Sequence, residues 1–214
     1  MVILTKLPGE EYKSVDQDEP ISFVRVCISI KTDVDDHDAR EIYQCGVGKI
    51  LHVTQNPSND EESSVQIGEI IGYRLFGEVI DLATWAEFSS QDLSYALHWL
   101  SRQDESAIES GIYDGFLYID KVYIEPQWRG KGFTLKAVAT YIEVFARNGF
   151  VFLMPSPPTE EVTAQDKEHQ IYRLRRFWEK LGLSLYDSDA NILWEPGWSS
   201  PTWLAGKDHQ TPVY

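Results

Sequence analysis

Cysteine and long apolar runs are what this sequence has least of. Its 214 residues include two cysteines, Cys27 and Cys45, too few for a disulfide framework and typical of a reducing compartment. No apolar stretch reaches the roughly 18 residues that a membrane-spanning helix requires. The apolar run within residues 1–6 is too short for a secretory signal. We therefore expect a cytoplasmic protein with no membrane partner.

Positive charge is also in short supply. Lys and Arg number 19 against 34 Asp and Glu, so the formal net charge is −15. Nucleic-acid binding depends on a positive face, so no nucleic-acid partner is expected. An acidic chain is compatible with a cationic substrate or partner, and equally with solubility alone. The five histidines have no metal-ligand spacing, so we predict no metal site.

Hydrophobic residues make up 43% of the chain and fall into strand-like and helix-like patterns. The predicted order is three strands, a helical excursion, strand, helix, strand, helix and two strands. This order predicts an α/β or α+β fold with a mixed sheet. We predict a lead-in at 1–20, one domain at 21–195 and a tail at 196–214. The predicted strands are 21–30, 45–53, 65–75, 117–124, 150–154, 183–186 and 191–194, and the later helices are 135–146 and 166–181.

The stretch from Val122 to Thr134 is the most informative part of the sequence. The apolar, β-branched run 117–124 predicts a buried strand, and Pro126 ends it because proline cannot donate to a ladder. Apolar residues at helical spacing begin at Leu135. The residues Arg129-Gly130-Lys131-Gly132 therefore lie at a helix N-terminus, where backbone N–H groups bind anions and above all phosphates.

Two motifs resemble those of the GNAT superfamily, the GCN5-related N-acetyltransferases. The first is Val122-x-Ile124-x-Pro126 followed by Arg129-Gly130-Lys131-Gly132-Phe133-Thr134, which is similar to the family's acetyl-CoA motif. The second is Phe177-Trp178-Glu179-Lys180-Leu181-Gly182-Leu183, which is similar to the end of the family's last helix. The resemblance implies a mixed, mostly antiparallel sheet flanked by helices, with a V-shaped opening between the motif strand and strand 150–154.

The resemblance also implies a co-substrate and a reaction. Acetyl-CoA would bind through the backbone around Val122, Tyr123 and Ile124, and its pyrophosphate through N–H groups of the glycine turn. The acetyl group would pass directly to a primary amine of a small molecule or a protein. The implied pyrophosphate-binding residues are Arg129, Gly130, Lys131, Gly132, Phe133 and Thr134.

Asp120 and Glu69 are the candidate general bases. Strand alternation predicts that Asp120 shares a side with Tyr118, Val122 and Ile124, and a carboxylate among apolar neighbours has a raised pKa that suits a base. The alternative for Asp120 is a structural role, at a strand bulge or paired with a lysine. The alternative for Glu69, on the third strand, is a solvated strand face.

Two departures from the family pattern support a second hypothesis. Trp178 occupies the position of a tyrosine that protonates the CoA thiolate in many family members, and an indole N–H cannot act as a practical acid. Thr134 replaces the last small residue of the phosphate turn. The alternative function is therefore a catalytically weak or silent GNAT-fold module that binds CoA or another protein.

The segment 81–114 lies before the motif strand and is predicted as a helical insertion. Asp81 is a candidate cap for one helix, Ser89 or Ser90 for a second one that reaches Leu100, and residues 103–114 are predicted as a polar return loop. The helices would wall the acceptor side, form a homodimer interface, or simply cover one sheet face. Arg173, Arg175 and Arg176 would contact the 3′-phosphate of CoA or a partner, or would form a solvated helix face.

Overall fold

The computed structural model describes residues 20–31, 43–77, 82, 91–157 and 164–204. Within these residues the chain has an α+β fold of seven strands and four longer helices, with 3₁₀ turns at Pro126–Trp128 and Glu179–Leu181. The strands are β1 (Ile21–Lys31), β2 (Tyr43–Gln55), β3 (Glu62–Leu75), β4 (Phe116–Ile124), β5 (Phe150–Leu153), β6 (Leu185–Asp187) and β7 (Ile192–Glu195); the helices are α1 (Gln91–Leu100), α2 (Glu105–Asp114), α3 (Phe133–Phe145) and α4 (Ala164–Trp178).

The seven strands form one open sheet in the order β1-β2-β3-β4-β5-β7-β6. Every neighbouring pair is antiparallel except β4 and β5, which are parallel. A parallel pair needs a crossover connection, and α3 provides it. The coarse prediction of a mixed, mostly antiparallel sheet with helices is therefore confirmed. None of the described helices is long and apolar enough to span a bilayer.

Helices cover both faces of the sheet. On one face, α3 packs against Leu117 and Ile119 of β4 and against the apolar residues of β2 and β3. On the other face, α1 and Ile108 of α2 pack against Phe116 and Tyr118 of β4 and against the phenylalanines of β5. The strand β4 is therefore buried on both sides over its first four residues, which explains its continuous apolar run.

A β-bulge interrupts the pairing of β3 with β4. Ile71 faces Lys121 and Gly72 faces Ile119, so Asp120 is an extra residue with no partner opposite it. The bulge reverses the alternation of side chains along the rest of the strand. Val122 and Ile124 consequently pack on the α3 face, while Tyr118 lies on the α1 face. The predicted shared side for Tyr118, Val122 and Ile124 is wrong for this reason.

The docking of α3 depends on a slot of small residues in the sheet. The buried ring of Tyr141 lies over Gly46, Gly48 and Gly72, and a Cβ on any of the three would press into that ring. Its hydroxyl donates a hydrogen bond of 3.0 Å to the carbonyl oxygen of Gly46. The three glycines thus let an aromatic ring pack directly on the sheet backbone.

The prediction of a loop over 103–114 is wrong, because residues Glu105–Asp114 form α2. This helix buries only Ile108 and Gly111, so its sequence carries little apolar periodicity. Gly111 is needed there because the ring of Phe116 occupies the space of a Cβ. The predicted cap Asp81, most of the first insertion helix, the lead-in up to residue 19 and the tail from 205 lie outside the described residues.

The chain after β7 packs onto the domain. Trp198 is fully buried, and its indole N–H donates to the carbonyl oxygen of Leu181 at 2.8 Å. Trp203 makes a similar bond of 3.1 Å to the carbonyl oxygen of Lys180. Gly182, the predicted end of the preceding helical segment, has a left-handed φ of 87°. The tryptophans therefore hold the segment 196–204 against the end of α4.

Candidate functional site: a cleft between two parallel strands

The parallel strands β4 and β5 pair over only four residues and then separate. Phe116–Ile119 face Phe150–Leu153, after which β4 continues to Ile124 while β5 ends. The Asp120 bulge and Pro155, which follows β5 and cannot donate to a ladder, account for the separation. The opening is a cleft of about 560 Å³, within the usual size range of ligand sites. Its lining is Ile119, Asp120, Val122, Tyr123, Ile124, Arg129, Gly130, Thr134, Leu153, Met154, Ser156, Arg173, Leu174, Phe177 and Trp178.

The backbone of β4 presents hydrogen-bonding groups to this cleft. The N–H of Glu125 donates to Ile67 on β3 at 2.9 Å, and the carbonyl oxygen of Tyr123 lies against Gly68 on the same strand. Alternation along a strand then directs the N–H and C=O groups of Val122 and Ile124 away from β3 and toward the opening. The Ile124 carbonyl accepts a bond of 3.1 Å from Arg129 Nε. The N–H groups of Val122 and Ile124 are thus available to a ligand.

The glycine turn forms one end of the cleft. Gly130 and Gly132 have left-handed φ angles of 74° and 75°, which glycine adopts without strain. The Arg129 N–H is engaged with the Pro126 carbonyl at 3.2 Å. Within the described residues, the N–H groups of the next three residues have no backbone acceptor, and they run into the open first turn of α3. Such a run of N–H groups at a helix start favours an anion.

An aromatic cluster fixes the glycine turn to the sheet. The Trp128 ring lies 4.6 Å from that of His52 on β2 and 5.9 Å from that of Phe133, while Lys131 Nζ lies 4.6 Å above the same indole. The side chains of Lys131 and Phe133 therefore contact Trp128 and are not among the residues that line the cleft. Any contribution of these two residues to a ligand would come from the backbone.

The last helix supplies the opposite wall of the cleft. Leu174, Phe177 and Trp178 present apolar surface, with the rings of Phe177 and Trp178 4.8 Å apart at a steep angle. Arg173 and Arg129 add two cations to the lining of the cleft. The cleft therefore combines apolar side chains with two cations and the N–H groups of the glycine turn. Arg175 and Arg176 instead pair with Glu179.

Asp120 lies on the bulge, at the end of the cleft where the pairing of β4 with β5 stops; we refer to this end as the mouth of the cleft. Its carboxyl makes no hydrogen bond or ion pair with the described residues. Partial removal of water by the surrounding protein raises its pKa, and the charge of Asp92 on α1 raises it further; Lys121 acts in the opposite direction. Although the residue as a whole is exposed, its carboxyl is in a site that disfavours the ionised form.

Glu69, the second candidate base, does not line the cleft. It lies in the middle of β3, opposite Lys49 of β2 and Tyr123 of β4. The structure thus brings together Asp120 with Val122, Tyr123, Ile124, Arg129, Gly130 and Thr134, and leaves Glu69 apart from them.

Several lining residues had not been singled out from the sequence. Leu153, Met154 and Ser156 lie at or just after the carboxyl end of β5. Because β5 is the neighbour of the motif strand, this end must border any opening between the two strands, so these residues could have been predicted. Leu174 lies one turn before Trp178 on the same helix face, so helical spacing could have found it. Comparison with family models, curated proteins and solved structures gave no match.

Proposed function

We propose that this chain is an acetyl-CoA-dependent N-acyltransferase of the GNAT type that transfers an acetyl group directly to a primary amine. The observation that carries the proposal is the single cleft between β4 and β5. It joins the motif strand and its glycine turn to the second motif on α4, which begins more than forty residues later in the sequence. A glycine turn that only bound a phosphate would not need the apolar part of the cleft that continues from it.

The residues of the cleft fit acetyl-CoA. The N–H groups of residues 130–134 would hold the pyrophosphate, with Arg129 and Arg173 adding positive charge. The β4 edge at Val122 and Ile124 would take the amide groups of the pantetheine arm in the manner of an added strand. Leu174 and Phe177 would cover its apolar atoms. Thr134 also lines the cleft. Its backbone N–H would bind a phosphate oxygen regardless of which side chain the residue carries.

Acetyl-CoA would supply an acyl group already activated as a thioester. Asp120 in the cleft mouth would accept the proton that the amine loses as its nitrogen forms the new C–N bond. The N–H of Ile124, directed into the opening, would donate to the carbonyl oxygen as negative charge develops on it. The departing thiolate would take its proton from water, since Trp178 has no acidic group.

Calorimetric titration with acetyl-CoA tests the proposal. The variant Gly130→Ala should weaken binding at least about tenfold, equivalent to ~1.4 kcal/mol, because alanine disfavours the left-handed turn that presents the N–H groups. Gly77→Ala is the matched control, since Gly77 also has a positive φ, of 103°, and lies in open space away from the cleft. Equal affinities in the wild type and both variants, or no binding by the wild type, would refute the proposal.

The second candidate function is a silent module that binds CoA without turnover. Trp178 favours it, because this residue lines the cleft where an acid would be useful and carries only an indole N–H. Binding of both CoA and acetyl-CoA, with no release of free thiol over a broad panel of amines, would favour the module. Thiol release with any amine would favour the enzyme.

A further inference from the structure

A second group of polar residues lies beside the cleft, on the face of the sheet that α1 covers. Leu93, Ala96 and Leu97 of α1 pack in the same core as Tyr118 of β4. This packing brings the start of α1, with Asp92 in its first turn, near the Asp120 bulge. The site on the α1 face thus lies next to the mouth of the cleft. Its residues are not among those predicted to bind the co-substrate.

Tyr118 offers a hydroxyl group to this site. The residue is only 2% exposed and its hydroxyl makes no hydrogen bond within the described part of the chain, and the small part that stays accessible includes the hydroxyl oxygen. Burial raises the pKa of this tyrosine most, and the charges of Asp120 and Asp92 raise it further. The hydroxyl can therefore form a hydrogen bond with a ligand group that faces the two carboxylates.

The carboxylates of Asp92 and Asp120 form no ion pair with the residues that the structure describes. Lys121 is the lysine whose charge acts on Asp120, while Lys31 acts on the neighbouring thiol of Cys45. Two carboxylates without an ion-pair partner among the described residues, next to the Tyr118 hydroxyl, favour a ligand with more than one positive charge.

Aromatic side chains complete the surroundings. Tyr73 of β3 lies directly opposite Tyr118 in the register and opposite Cys45 of β2 on its other side. It is half-buried, and the charge of Asp120 contributes to the raised pKa of its hydroxyl, after burial. Tyrosine rings and hydroxyls near carboxylates are suited to an alkylammonium group, which they contact by cation–π interaction and hydrogen bonds.

We propose that the acceptor binds on the α1 face between Asp120, Asp92, Tyr118 and Tyr73, and that this site selects an amine with a second positive charge. The amine to be acetylated would lie at Asp120, in the mouth of the cleft, and the second cation at Asp92. The role of this site in binding the acceptor rests on the proposed function. The net charge of −15 would also draw polycations toward the protein.

Steady-state rates with diaminobutane and aminobutane test the selectivity. The wild type should have the lower KM for the diamine. Asp92→Asn should raise that KM about fivefold, the upper end for an exposed ion pair, and should raise the KM for aminobutane by a smaller factor, because aminobutane has no second cation. Asp104→Asn is the matched control, an exposed aspartate before α2 whose side chain makes no capping bond. Equal KM values for the two amines, or equal effects of the two variants, would overturn the proposal.

An NMR titration with diaminobutane alone separates this proposal from the proposed function. Shifts at Asp92, Tyr118 and Asp120 that disappear in Asp92→Asn support the site even where acetyl-CoA does not bind, in which case only the transferase proposal fails. The absence of these shifts overturns the site even where acetyl-CoA binds and is consumed. Circular dichroism of each variant checks that the fold is retained.

Discussion

At the scale of single residues, Asp120 is held in a place that costs stability. Its pKa is raised, chiefly by partial burial and then by Asp92, so the folded state binds a proton more readily than the unfolded chain. The cost is fully present above the raised pKa and vanishes below the unfolded value of about 3.9. The role that we propose for this carboxyl is proton transfer.

The variant Asp120→Asn should therefore raise the melting temperature at neutral pH, because it removes the disfavoured charge. Its advantage over the wild type should shrink as the pH falls through the raised pKa and disappear near pH ~3. Thermal melts from acidic to neutral pH measure this difference, with Asp104→Asn as an exposed control. A variant that is less stable than the wild type at neutral pH would show that Asp120 has a structural role instead.

At the scale of elements, the packing of Tyr141 on the sheet attaches α3, the helix that follows the glycine turn. Gly46→Ala should destabilise the fold by about 1–3 kcal/mol, because a methyl group there presses on the rings of Tyr141 and Phe145. Tyr141→Phe should cost ~1 kcal/mol through loss of the bond to the Gly46 carbonyl. Urea unfolding measures both. If Gly46→Ala lowered the free energy of unfolding by no more than Tyr141→Phe does, the close packing of the Tyr141 ring on the sheet glycines would be contradicted.

Local patterns in the sequence account for most of these elements. The apolar run of β4, the helical spacing after Leu135 and the glycine at position 182 predicted a strand, a helix and a helix end that the structure has. The helix α2 was missed because it buries two residues and carries almost no apolar periodicity. The sequence leaves a bulge at Asp120 as one of its alternatives, since a bulge depends on the register with β3, a non-local property.

At the scale of the whole molecule, the cleft is the product of topology. Among the described strands, the parallel pair is also the pair that separates; the glycine turn before α3 forms one end of the opening, and α4 supplies its wall. The sequence predicted the β4 side of this site from its motif. The group on the α1 face was not predicted, because Asp92, Tyr73 and Tyr118 come from three elements whose proximity only the packed fold creates.

The central claim is that acetyl-CoA binds between β4 and β5 with its phosphates on the glycine turn. Hydrogen–deuterium exchange with and without acetyl-CoA tests it most directly, because it reads the same N–H groups that the structure assigns. We predict slower exchange at Val122, at Ile124 and at residues 130–134, and no change at the distant strand β1. Unchanged exchange at these positions under saturating acetyl-CoA, or protection confined to other parts of the chain, would contradict the account.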